Sequence, residues 1–143
     1  DDRTSRGLGD VYKRQLSHPY VMLGYNICAA DTEAEAWHLR TSGLRALLNL
    51  RMGKPGPLPA PINNFEATLS AEEQAILAQP DAAAAVGDAA QIRQQVSAFV
   101  AKTQADELII TAQIFDHEAR CRSYSIAYEA CSNLNPDTVA LAQ

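Results

Sequence analysis

Residues 105–124 read ADELIITAQIFDHEARCRSY, an apolar run that breaks into Asp116-His117-Glu118 and then takes a helical pattern. His117 is the side chain there that can exchange a proton near neutrality, and so polarise a reacting oxygen or a substrate. The plainer reading makes it first-turn helix surface, with Asp116 as N-cap and Glu118 favoured by the positive helix start. Gln113 and Phe115 stand beside this cluster. Two more polar groups, Asn26 and Cys28, end the run YVMLGYNIC, and two cations, Arg51 and Lys54, border RMGKPGPLPAPINN. Gly87-Asp88 opens a further helix, whose first N–H groups suit either an anion or a cap, the cap being the simpler reading.

These residues need strands and helices to place them. The nearly continuous apolar character from Tyr20 to Cys28 predicts a strand covered on both faces, as in a parallel sheet. Thr32-Glu-Ala-Glu35 has capping-box spacing, and Ala36, Leu39, Gly43, Leu47 and Leu50 mark the buried stripe of the helix that follows. The proline-rich piece from Arg51 to Asn64 excludes helix and strand interior, and a connection of that length is usually functional or mobile. Ser70-Ala-Glu-Glu73 caps a short helix, Ala82 to Val86 gives a second short strand, and Asp88 caps a helix with the stripe Ile92, Val96, Phe99 and Val100. Leu108 to Phe115 predicts a third strand, followed by a helix whose inner face is Tyr124, Ala127, Tyr128 and Cys131. Three strand-then-helix units argue for an α/β fold with a parallel sheet.

Composition narrows the function. Seventeen acidic against twelve basic residues give a net charge of −5, and no basic stripe follows a phosphate backbone, so nucleic acid is not expected as a partner. No apolar run reaches the ~20 residues that span a bilayer, and no signal peptide is legible, which predicts a cytoplasmic protein without a membrane partner. The three cysteines include no CxxC pair, so neither a disulfide framework nor a metal site is expected. No GxGxxG or P-loop follows any of the three strands.

The segments HPYVMLGYNICAADTEAEA, RMGKPGPLPAP, VGDAAQIRQQV and ADELIITAQIFDHEARCRSY together resemble the C-terminal part of luciferase-like flavin-dependent monooxygenases, in unbroken order from Ser17 to Ala130. The resemblance implies a (β/α)8 TIM barrel, reduced FMN as cofactor, and oxygen-dependent oxidation of a small organic substrate. It further implies a flavin reductase or other source of reduced flavin, and a homo- or heterodimer for the full-length protein. Three strands cannot close an eight-stranded barrel, so the chain is expected to hold about the last three βα units and to bind FMN weakly or not at all. On this reading Asn26, Cys28, Gln113, Phe115 and His117 line the flavin or substrate pocket, and Arg51 and Lys54 belong to a lid loop. Cys121 departs from the family pattern, which has a larger aliphatic residue there.

The expected organisation is a leader over residues 1–16, the partial barrel over 17–131 and a loosely ordered tail over 132–143. GLGDVYKRQ in the leader looks like a translated sequencing adapter. The reading from a different class is a small non-catalytic α/β module, or a structural subunit, that associates through an exposed sheet edge.

Overall fold

The structure, a computed structural model, describes residues 19–78 and 84–132. The expected leader, nearly all of the tail and the start of the expected second strand lie outside those residues. The elements run β1 (Met22–Ala29), α1 (Glu33–Arg51), a 3-10 turn (Phe65–Thr68), α2 (Ala71–Leu77), β2 (Ala84–Gly87), α3 (Ala89–Thr103), β3 (Glu107–Thr111) and α4 (His117–Ser132). Three βα units and a parallel sheet therefore form as the periodicity predicts.

The strand order is β2-β1-β3. The C-terminal half of β1 pairs with β2, Asn26 opposite Ala84 through Ala29 opposite Gly87. Its N-terminal half pairs along the other edge with β3, Met22 opposite Glu107 through Asn26 opposite Thr111. Consecutive barrel strands would instead place β2 in the centre.

Alternation along β1 assigns the two faces. Tyr25, Ile27 and Ala29 join Ala85, Ile92, Val96 and Ile126 in one cluster against α3 and α4. Tyr25 stacks on Phe99, with ring centroids 4.2 Å apart. Cys28 and Val86 turn the other way and meet Ala36 and Leu39 of α1. Helices thus cover both faces, but Met22, Gly24, Ile109 and Thr111, toward the β3 side, stay exposed.

The caps follow the sequence. Thr32, Ser70 and Asp88 each accept a hydrogen bond from the first turn of their helix, and the last two close full capping boxes. Gly87 has φ of +146°, and a side chain there would strike Gln91, which closes the Asp88 box, so only glycine fits. Helix α1 ends in a Schellman arrangement: Gly53, at φ +72°, donates to Leu50 O and Lys54 N donates to Asn49 O. Gln95 of α3 accepts from Val86 N and donates to Val86 O, so these groups of β2 are satisfied without another strand.

Three expectations need correction. Strand β3 stops at Thr111, which puts Gln113 and Phe115 in the connection to α4. Leu50 is 61% exposed, and Leu48 is buried in its place. Tyr124 and Tyr128 face solvent, whereas Ser123, Ile126, Ala127 and Ala130 are buried. The physical reason for the last is close approach: Ser123 Oγ accepts from Ala29 N at 2.9 Å, and the two alanines let α4 lie against β1 where tyrosine rings would hold it off.

Ser123→Ala would leave the buried Ala29 N–H unpaired and should cost about 1–3 kcal/mol in urea unfolding. Tyr128→Ser should stay within about 0.5 kcal/mol. Equal losses from the two would contradict this seating of α4.

Candidate functional site

The ends of β1 and β3 bring some of the candidate residues together. Asn26 is half-buried and Cys28 buried, both on the α1 face of β1. The Cys28 thiol donates to Ala36 O at 3.3 Å. Burial pushes this thiol up to about 11, only partly opposed by the positive charge of Arg40. Arg40, at 5% exposure, is itself buried in α1. Gln113 reaches the same region: a Cβ added at Gly43 would lie 3.1 Å from both Gln113 Oε1 and an Arg40 guanidinium nitrogen. Gly43 is thus the place where α1 admits the β3–α4 connection. Arg40 thus stands between the two, its charge felt at buried Cys28 and its guanidinium near the exposed Gln113.

Phe115 and His117 do not join it. Phe115 is 52% exposed. Asp116 Oδ1 accepts from Ala119 N at 2.8 Å, so it is the cap that its position suggests. His117 turns along the surface of α4, where its Nδ1 meets Arg120 at 2.8 Å and its Nε2 meets Cys121 Sγ at 3.7 Å. At the start of α3, Asp88 Oδ1 takes both Ala90 N and Gln91 N at 3.0 Å, which leaves those groups unavailable to an anion.

The open volume lies elsewhere. A cavity of about 850 Å³ is bounded by α1, residues 62–69, α2 and β2, with Trp37, His38, Thr41, Phe65 and Gln74 in its wall. The proline-rich connection is fastened to α1 on this side. Arg45 donates to Ala60 O, and Ile62 N donates to Thr41 Oγ1 at 3.0 Å. Phe65 is buried behind them. Arg51 and Lys54 are exposed at the end of α1 and line no part of the cavity. Little in the residue pattern marks this wall: Trp37 and His38 fall between the stripe positions of α1, and a buried arginine leaves no periodic trace.

A flavin does not fit at the strand ends of this chain. Cys28 is sealed beneath Ala36 and Leu39, and none of Asn26, Cys28, Gln113, Phe115 and His117 borders the large cavity. Among the described residues there is no cluster of three His, Cys, Asp or Glu side chains able to hold a metal, and no helix long and apolar enough to cross a membrane.

The fold defines an α/β protein built of three parallel βα units. No family model matches the sequence. A luciferase-like monooxygenase of Escherichia coli (strain K12) is 38% identical over 120 residues, which cover 84% of this chain and 36% of that protein. The uncharacterized protein YvbT of Bacillus subtilis (strain 168) is 34% identical over 118 residues, 82% of this chain and 35% of YvbT. The crystal structure of apo-MsnO8 superposes with a TM-score of 0.60 over 81% of this chain and 36% of that one, at 22% identity, a likeness of fold alone. The chain is therefore a homologue of the luciferase-like monooxygenases over most of its length, and spans about a third of the length of the relatives it matches. That similarity favours the monooxygenase reading over the small edge-associating module.

Cys28 supplies a pH test. The native state keeps the thiol protonated up to about 11, while the unfolded chain releases the proton near the ordinary value of 9.0. Between these values the unfolded state binds fewer protons, so stability falls as pH rises, by at most ~3 kcal/mol. Unfolding free energies should fall more steeply across this window for the wild type than for Cys28→Ala; parallel curves would show that the thiol is not held neutral.

Proposed function

We propose that this chain is the C-terminal part of a flavin-dependent, luciferase-like monooxygenase that uses reduced FMN and dioxygen to oxidise a small organic substrate. The observation that carries the reading is the 38% identity over 84% of the chain to a protein of which the chain spans 36%. Reduced flavin would come from a reductase, and the full-length protein would work in the cytoplasm as a homo- or heterodimer.

The full-length protein on this reading is a (β/α)8 barrel, and these are about its last three units. In such a barrel β2 separates β1 from β3, and all the helices lie outside. Here β3 takes the edge of β1 that a preceding strand would hold, and α1 covers the face that would look into the barrel at Cys28 and Val86. On this reading, α1 in the chain alone covers the part of that face around Cys28. The pocket roles of Asn26, Cys28 and Gln113 belong to the full-length barrel, with α1 withdrawn from that face. The connection from Arg51 to Asn64 is its lid, and excluding water is the physical reason for having one.

Two experiments test this. The chain alone should show no saturable quenching of FMN fluorescence in the micromolar range, whereas a chain extended to the length of its relatives should bind FMN and consume dioxygen when the flavin is reduced. An extended, folded protein inert to reduced FMN would sink the reading. The second concerns strand order. With Cys121→Ser as background, Met22→Cys and Glu107→Cys occupy paired, exposed positions and should be bridged by a short bis-alkylating reagent in the isolated chain but not in the extended protein. Equal bridging in both would rule out the rearrangement.

A further inference from the structure

Helix α1 presents two faces, and the sheet uses one of them. Ala36 and Leu39 are buried against Cys28 and Val86. Trp37, Thr41 and Leu44 follow one another at four and three residues, and this second stripe borders the cavity of about 850 Å³. Phe65, Leu69 and Leu77, from the 3-10 turn, the residue after it and α2, complete the apolar wall. Ile62 N on Thr41 Oγ1 at 3.0 Å and Arg45 on Ala60 O join the connection to α1. The walls are thus tied together by the chain itself, as in a pre-formed pocket.

Size, lining and charge narrow what such a space can hold. Its volume falls within the ~300–1,000 Å³ of small-molecule sites. Trp37 is 51% exposed although it lines the cavity, so half of a large aromatic side chain is left without protein cover. Leu44, Leu69 and Leu77 are only half-buried there. Besides His38, the wall carries one cation, Arg40, and one anion, Glu66, which leaves no net charge to hold an ion. Asn63 and Asn64, exposed in the same wall, offer amide groups to a polar substituent.

We infer that this cavity is a binding site for a neutral aromatic molecule, whose ring lies against Trp37. Offset or edge-on contact with the indole and with Phe65 favours an aromatic ring over an aliphatic chain of the same size. Contact with the three leucines removes the rest of its apolar surface from water. A charged ligand would give up hydration there without a net opposite charge to replace it. FMN, which carries a phosphate, is disfavoured on the same ground. None of Asn26, Cys28, Gln113, Phe115 and His117 borders the cavity, so this site is separate from the strand ends and does not rest on the flavin reading.

Trp37 is the only tryptophan of the chain, so its emission reports occupancy directly. Titration of the whole chain with N-phenyl-1-naphthylamine, an uncharged aromatic probe that accepts excitation energy from tryptophan, should quench Trp37 saturably at one probe per chain. The same skeleton bearing a sulfonate, 1-anilinonaphthalene-8-sulfonate, should bind on the order of tenfold more weakly. Leu77→Arg and Leu69→Arg, on separate parts of the wall, should each weaken the neutral probe by about tenfold or more. Met22→Glu, on the exposed part of the sheet, should leave it unchanged. Resistance of buried Cys28 to alkylation shows that each variant is folded. Quenching that does not saturate, equal or tighter binding of the sulfonate, or undiminished binding by folded Leu77→Arg and Leu69→Arg would overturn the proposal. Binding lost only with Met22→Glu would do the same, by assigning the probe to the sheet face.

Discussion

The whole arrangement depends on β1 using both edges and both faces at once. Its C-terminal half pairs with β2 and its N-terminal half with β3, with Asn26 shared between them. Its odd-numbered residues from Tyr25 to Ala29 anchor α3 and α4, while Cys28 seats α1. Its last residue is tied to α4 by the Ser123 hydroxyl. A strand so placed must be apolar on both sides, which is why YVMLGYNIC lacks polar alternation. Loss of β1 would remove central members of both buried clusters.

Much of this was legible because it is local. Capping residues act within one turn, so Thr32, Ser70, Asp88 and Asp116 identify themselves by spacing. Strand order is not local. Both edges of β1 are chemically alike, and nothing in ELIIT says which one it takes. The face of α4 was misread for a related reason. Hydrophobicity favours the tyrosines as the inner residues, but α4 approaches β1 more closely through serine and alanine. Packing distance decided against side-chain apolarity.

The candidate site shows the same division. Residue types at strand ends mark Cys28 and Gln113; the first feels the charge of Arg40 and the second lies beside Arg40 at Gly43. That Cys28 lies under a helix while Gln113 stays exposed depends on α1 crossing to the face opposite α3 and α4. Hydrophobic stripes indicate that a helix has an inner side, without saying which face of the sheet it meets. The cavity wall of Trp37, Phe65 and Gln74 arises from long-range closure of the proline-rich connection, and no short motif encodes it.

The uneven cover of the sheet connects these points. Around Cys28 the α1 face is sealed, while toward Met22 and Ile109 it is exposed. One helix cannot cover the full width of three twisted strands, so α1 settles over the β1–β2 side, where Ala36 and Leu39 find small partners. In a closed barrel that entire face would be filled by side chains from other strands, and α1 would have no reason to lie there. On the barrel reading proposed above, α1 and the remaining barrel strands would compete for one apolar surface, and that competition would govern whether Cys28 is shut away or opens to a pocket.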